Sequence, residues 1–308
     1  MTEQSISPGV HIRLILTMTF WGGTFVAGRL LAAELHPLTA SSLRFITAST
    51  MLLAAILIRD KTLPLLTRNQ WRAIVLLGLT GVFFYNIFFF TGLQTVEAGR
   101  ASMIIAVNPV ITAFLAMFFF GERYNFSRST GMIVSVCGAL VVISRGDLSA
   151  IFLGDIGGMG ELYIVGCVFS WSAYTLIGKQ LLKDIEPLVA VAYSCTVGAI
   201  FLVITSLFTG HLTEFTDFTA TAAGCIFYFA FFGTTLGFIW FYDGVKKLGA
   251  SRAAMYVNLV PISGILLGTL FLDEHLGSSL LIGGVPCLFR SLSCEPQGRY
   301  FIVTIAKG

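Results

Sequence analysis

An arginine stands in a run that otherwise suits hydrocarbon: PLTASSLRFITASTMLLAA, residues 37–55, with the cation at Arg44. Similar runs carry Trp21 and Thr24, Tyr85 and Asn86, Asn108, Trp171 and Tyr174, Trp240, and Tyr256 with Asn258. The chemistry open to this set is recognition. A guanidinium attracts a carboxylate, indoles and phenols offer stacking faces, and amides donate and accept hydrogen bonds. Together they suit a small zwitterion with an apolar or aromatic side chain. Bond-making chemistry is absent: there is no Walker A pattern, no HExxH and no intramembrane pair of acids. Six cysteines are scattered without a CxxC or a Cys/His cluster of metal-ligand spacing, so no metal and no cofactor is expected. Cys137, Cys167, Cys195 and Cys225 read as small packing residues.

The elements that must position these groups follow from composition. The 308-residue chain is 56% hydrophobic and 11% charged, with a mean hydropathy of +0.86. A soluble domain carries about 25% charged residues, so this chain has too little charge to cover a globule in water. It reads as an all-α polytopic membrane protein. Its net charge of +3, with no long basic run, excludes nucleic acid as a partner. A membrane-crossing helix needs roughly 20 apolar residues. Ten candidate runs appear, at about 12–32, 38–58, 72–92, 99–120, 129–145, 161–180, 188–208, 219–242, 251–272 and 279–289, the last of them short. Backbone groups in lipid must be satisfied within a segment, which selects helices. With the N-terminus in the cytoplasm, inside segments hold twelve Lys and Arg before the C-terminal tail, against three outside (Arg29, Arg100 and Arg145).

The chain repeats itself. GRASMIIAVNPVITAFLAMFFFGE at 99–122 returns as SRAAMYVNLVPISGILLGTLFLDE at 251–274, with Arg, Pro and Glu at matching places. WGGTFVAGRLLAAELHP at 21–37 returns as WSAYTLIGKQLLKDIEP at 171–187. The halves are therefore 1–150 and 151–308, with five spans each. Five is odd, so the second half enters from the opposite side. Inverted repeats of this kind build alternating-access carriers, because exchanging the conformations of the two halves converts an inward opening into an outward one. A channel or scaffold built by duplication is the plainer alternative.

The pieces FWGGTFVAGRLL, HPLTASSLRFITASTMLLA, LQTVEAGRASMIIAVNPVITAFLAMFFFGE and VKKLGASRAAMYVNLVPISGILLGTLFLDE resemble the EamA domain of the drug/metabolite transporter superfamily, over roughly residues 12–284. The resemblance implies a ten-helix carrier of the bacterial inner membrane, often an exporter of metabolites or of amino acids, aromatic ones included. It implies a central cavity lined by both halves. The expected partners are then the lipid bilayer and a small-molecule substrate, with oligomeric state left open. Rival readings keep the fold with a drug, purine or sugar derivative as cargo, or make the chain a non-transporting receptor or scaffold. The departure from the family is the tenth span, LLIGGVPCLF, which is short, holds Pro286 and leads into a tail unlike anything in the first half. An altered reading frame from about residue 286 is the expectation there.

Two prolines, Pro109 and Pro261, fall in the middle of the fourth and ninth spans. Proline removes an intrahelical hydrogen bond, here freeing the carbonyls of Ile105 and Val257. The prolines serve either as hinges for half-helices lining the cavity or as static kinks. Arg44 either seats a substrate carboxylate or snorkels outward, pairing with Glu34 or a helix C-terminus. The repeat places Ser194 at its equivalent position. Glu122 and Glu274 close their helices where the macrodipole disfavours an anion. They read as corner residues with partners such as Arg123, Arg128 or His275, while Arg100 and Arg252 anchor helix starts at the headgroups. Each aromatic or amide at membrane depth is either a ligand contact or packing glue, and Trp and Tyr near helix ends can belong to the interfacial belt. The deepest parts of the spans hold no Asp or Glu, which points to transport without a proton relay.

The topology is checked by cysteine labelling of intact spheroplasts. Arg68→Cys and Lys246→Cys are expected to react from the same face of the bilayer, and opposite faces would remove the inverted repeat.

Overall fold

The structure, a computed structural model, describes residues 8–120, 158–181, 185–211, 219–248, 253 and 256–274. Its elements follow the apolar runs. Helix α1 covers Pro8–Glu34 and α2 covers Pro37–Asp60. The third span runs from α3, Arg68–Leu77, through a π-helical stretch, Gly78–Phe84, into α4, Tyr85–Leu93. The fourth is broken into α5, Ala98–Ile105, and α6, Asn108–Phe120. In the second half, α7 covers Met159–Leu181 and α8 covers Pro187–Phe208. The eighth span joins α9, Ala220–Tyr228, to α10, Gly237–Leu248, through a second π-helical stretch, Phe229–Leu236. A 3₁₀ turn, Tyr256–Asn258, then leads into α11, Leu259–Leu272. The expected fifth and tenth spans and the tail lie outside the described residues, as do Glu122, Arg123, Arg128, Arg252 and His275.

The helix boundaries have local causes. Pro37 and Pro187 open α2 and α8, where a proline's fixed φ is favourable and its missing N–H is not needed. Thr67 and Gln70 form a capping box on α3, with Thr67 N donating to Gln70 Oε1 at 2.8 Å. Lys61 closes α2 in the left-handed region at φ 61°, its N–H returning to Leu57 O. Inside the spans, hydroxyls turn back on their own helix. Thr17, Ser41, Ser42, Thr47 and Thr196 each donate to the carbonyl four residues earlier. These hydroxyls are satisfied within their own helix, those of Thr17, Ser41 and Ser42 while fully buried.

The second half runs upside down relative to the first. Helix α1 leads from the Pro8 end of the bundle to the Glu34 end. Helix α7 starts at the Glu34 end, where Gly92 of α4 and Gly160 meet and Arg29 donates to Leu93 O. Helices α2 and α8 lie along each other in opposite directions. At one end Arg59 grips Glu186 through two bonds of 2.7 Å. At the other, His36 and His211 stack with ring centroids 3.5 Å apart. Helix α1 packs against the eighth and ninth spans, and α7 packs against the third and fourth. Those are the same contacts carried through a two-fold axis.

Close approach holds the halves together. Lipid gives no hydrophobic drive between helices, so small residues that let backbones meet supply the packing. A Cβ on Gly22 of α1 would stand 2.5 Å from Ser263 Cβ and 2.7 Å from Gly264 N on α11. Large apolar side chains such as Ile58, Phe118, Phe208, Leu270 and Phe271 point outward instead.

Glu274 receives the partner that its helix end requires, from an unexpected place. Its carboxylate accepts from Ala98 N at 2.6 Å and Gly99 N at 2.9 Å, capping α5. A carboxylate at a helix N-terminus satisfies orphan donors and meets the positive end of the dipole. The cations near it in sequence are not needed for this.

Each π-helical stretch carries a glycine against the opposite half. Gly81 lies under the Tyr174 ring, and Gly233 lies under Thr24 Cγ2, 2.9 Å from an added Cβ. Thr24 and Tyr174 are themselves repeat equivalents. Gly81→Ala is expected to lower stability by about 1–3 kcal/mol through overpacking, read as a lower unfolding midpoint in detergent. Gly224→Ala, with nothing within 4 Å of the new carbon, should not lower it. Equal midpoints for the two variants would mean that the Tyr174 contact constrains nothing.

Candidate functional site

The interior between the halves is lined from α2, α4, α7, α8 and the eighth span. Arg44 points into it from α2. Its Nη1 donates to Asn86 Oδ1 at 2.6 Å, and its Cζ lies 4.1 Å from the Phe229 ring centroid and 4.8 Å from that of Phe45. Its Nε is buried with no hydrogen-bond partner. The residue sits deep in the bundle yet keeps some accessible surface, so it borders interior space. Glu34, one sequence-level candidate for pairing, is engaged by Thr219 instead. Among the described residues Arg44 therefore pairs with no interfacial acid.

Asn86 is buried and holds the arginine in place. Its Nδ2 donates to Val82 O at 2.7 Å, so its Oδ1 faces the guanidinium. Val82 belongs to the first π-helical stretch. In the second stretch, Trp21 Nε1 donates to Gly233 O at 2.9 Å. Both wide turns thus give a backbone carbonyl to a side chain, a use suited to π-helical segments, which often occur at functional sites. Neither stretch was visible as such in the sequence, where the glycines Gly78, Gly81, Gly233 and Gly237 were the available signal.

An aromatic wall adjoins Arg44. The Tyr85 ring stands 5.6 Å from Trp171, and Trp171 stacks on Tyr174 at 5.2 Å. Trp21 packs on Phe238 at 5.6 Å, and Phe238 stacks on Tyr242 at 6.0 Å. Tyr242 in turn neighbours Tyr174 and Cys195. Trp21, Arg44, Tyr85, Asn86, Trp171 and Tyr174 thus form one connected group. Sequence reasoning missed Phe45, Phe229, Phe238 and Tyr242, although a buried cation calls for aromatic faces near it. Thr24 contributes a methyl group to the same region, its hydroxyl donating back to Trp21 O at 2.6 Å.

Two expected residues, Trp240 and Tyr256, stand elsewhere. Trp240 packs on Phe20 at 6.0 Å, in a cluster with Phe232 and the exposed Phe227. Tyr256 hydrogen-bonds His11 at the Pro8 end, among Val10, Leu14 and Leu248. Asn258 ends the 3₁₀ turn before α11 and does not cap that helix with its side chain. Asn108 opens α6, and its buried Oδ1 has no partner. The helix breaks sit where the prolines place them. Ala106 and Val107 form a turn immediately before α6, with Val110 N and Ile111 N both returning to Val107 O at 2.9 and 3.1 Å. Pro261 is the third residue of α11. Both prolines thus lie in the first turn of a half-helix, where no amide hydrogen is missed.

Two inverted bundles sharing a polar and aromatic interior define a membrane transporter of small molecules. The chain belongs to the EamA-like transporter family, whose pattern matches residues 10–144 and again 158–290. Its relatives include the uncharacterized transporter YyaM of Bacillus subtilis, 28% identical over 281 residues, covering 90% of this chain and 92% of that one. An uncharacterized transporter of Archaeoglobus fulgidus is 29% identical over 288 residues, covering 91% and 98%. A WAT1-related chloroplastic protein of Arabidopsis thaliana is 26% identical over 282 residues, covering 89% and 66%. One solved crystal structure shares the fold, with a TM-score of 0.63 at 17% identity, over 92% of this chain and 95% of the other.

Asn86→Leu strips Arg44 of its hydrogen-bonded side-chain partner. Hydrogen bonds to charged groups contribute about 1.5–3 kcal/mol, and a loss of that size is expected in the unfolding free energy. In the double variant Arg44→Leu/Asn86→Leu most of the loss should disappear. Additive losses would show that the pair is not coupled.

Proposed function

We propose that this chain is a secondary carrier exporting small metabolites, most directly amino acids, across a bacterial inner membrane by alternating access. The N-terminus lies in the cytoplasm on this reading, and each half forms one repeat, 1–150 and 151–308. The observation that carries the proposal is the exchange of contacts through the two-fold axis. Helix α1 seals against the eighth and ninth spans as α7 seals against the third and fourth. Swapping the conformations of the two halves would move the opening of the shared interior from one face to the other. The half-helices divided at 106–107 and ahead of Leu259 supply the bends for that motion. Broken helices at midmembrane are tolerated where they line a cavity. The connected set of Trp21, Arg44, Tyr85, Asn86, Trp171 and Tyr174 supports an amino acid as cargo, offering an ionic contact, amides and stacking faces. Asn108, at the start of a half-helix, adds an open acceptor. No described acid lies with this group, which favours transport without a proton relay.

The test is counterflow. Proteoliposomes containing the full chain and preloaded with an unlabelled amino acid mixture should accumulate labelled phenylalanine, leucine or alanine transiently, several-fold over protein-free vesicles. Pro109→Ala is expected to slow the exchange about tenfold or more. Absence of counterflow for every amino acid would remove this function.

A further inference from the structure

We infer that the interior takes its cargo by an anionic group, a carboxylate docked on Arg44, and that one such group binds per cargo in one orientation. This rests on the carrier reading and names the chemistry that its site selects.

A guanidinium offers five N–H donors in a fixed planar fork. Asn86 takes one of them, from Nη1, and Nε is buried without any partner. Among the described residues no carboxylate pairs with Arg44. Its titratable neighbours among the described residues are the Tyr85 phenol and the Cys195 thiol, groups whose ordinary values leave them uncharged at neutral pH. The acids in reach of the bundle ends are engaged elsewhere: Glu34 with Thr219, Glu186 with Arg59, Asp243 with Lys247 and Glu274 with the α5 N-terminus. The faces of Phe229 and Phe45 offset part of the cost of burying a cation. They accept no hydrogen bond along the edge of the fork. That edge is complementary to a planar oxyanion, which binds guanidinium with paired, charge-assisted bonds.

The site has no second copy. At the position related to Arg44 by the repeat stands Ser194, buried, its hydroxyl turned back to Val191 O at 3.1 Å. Among the described residues the shared interior therefore holds such a cation on the first repeat and a serine at the related place on the second. Tyr85, Trp171 and Tyr174 lie beside it on one side, so an aromatic or apolar remainder of the cargo follows the carboxylate into that wall. A cargo with an amine and no carboxylate meets an unscreened like charge.

The experiment compares three matched probes on the full chain in lipid nanodiscs. Phenylalanine carries both charges, 3-phenylpropanoate only the carboxylate and phenethylamine only the amine. Binding is read from tryptophan fluorescence, with Trp171 against the wall, and from protection against thermal unfolding. Phenylalanine and 3-phenylpropanoate are expected to bind saturably, and phenethylamine at least tenfold more weakly. Arg44→Gln should weaken both carboxylates at least tenfold, and any fall in the unfolding midpoint of the empty protein should match only the lost bond to Asn86. Arg44→Lys keeps the charge without the fork and should fall between the two. It carries the test if the glutamine variant does not fold. Equal binding of phenethylamine and phenylalanine, carboxylate binding unchanged in the variants, or no carboxylate binding to the wild type each overturns the inference. Because binding is read without transport, failed counterflow with intact carboxylate binding sinks the carrier reading alone. Counterflow of carboxylate-free compounds at the amino acid rate sinks this inference alone.

Discussion

Hydrocarbon supplies no hydrogen bonds, and among the described residues nearly every buried polar group is answered by another part of the chain. The constraint is strict because an unsatisfied polar group in an apolar medium costs several kcal/mol (about 4–8 against cyclohexane). It explains why Thr and Ser hydroxyls fold back on their own helices and why the carboxylate of Glu274 crosses to cap α5. It also explains why the widened turns at Val82 and Gly233 draw in Asn86 and Trp21. The few groups left over then carry meaning. Among the described residues these are Arg44 Nε, Asn108 Oδ1 and the hydroxyls of Ser49 and Ser206, and Arg44 is the one set beside the aromatic wall.

Duplication with inversion is the second ordering principle. Among the described residues the main helix irregularities occur in pairs. The π-helical stretches begin at Gly78 and Phe229, the helix breaks come just before Asn108 and Leu259, and the glycine contacts are Gly81 with Tyr174 and Gly233 with Thr24. A strained or widened turn appearing once can be an accident of packing. The same turn at equivalent places in two halves of different sequence reflects the architecture. The halves differ in what they place on that common frame: arginine against serine at 44 and 194, and a flat ring against a methyl group at 174 and 24.

Much of this was legible in the sequence because it depends on local rules. Spans follow from apolar length, their starts from His36-Pro37 and Glu186-Pro187, and the breaks from Pro109 and Pro261. The unread part depends on distance along the chain. Nothing near Glu274 in sequence announces Ala98 and Gly99 as its partners, so charged neighbours looked more natural. A residue's depth was read from its place in an apolar run, and that misplaces Tyr256. A short 3₁₀ turn precedes α11, and Tyr256 within it lies at the bundle end against His11. The π-helical stretches were missed because i→i+5 bonding leaves the hydrophobic pattern nearly intact. The direction of Arg44 was undecidable from sequence because both outcomes begin at the same depth. Only the positions of Asn86 and Phe229 decide it.

The lengthwise contact of α2 with α8 is fastened by unlike means at its two tips. A guanidinium–carboxylate clasp between side chains 42% and 50% exposed holds one tip, and flat imidazole rings hold the other. Exposed ion pairs loosen as dissolved electrolyte rises, while ring stacking is largely indifferent to it. Any rocking that parts one tip before the other thus meets unequal resistance. A thermodynamic cycle forbids such inequality from setting net direction, but it does divide dwell times. Brine on the Arg59 side acts as a one-handed lever on an otherwise even balance.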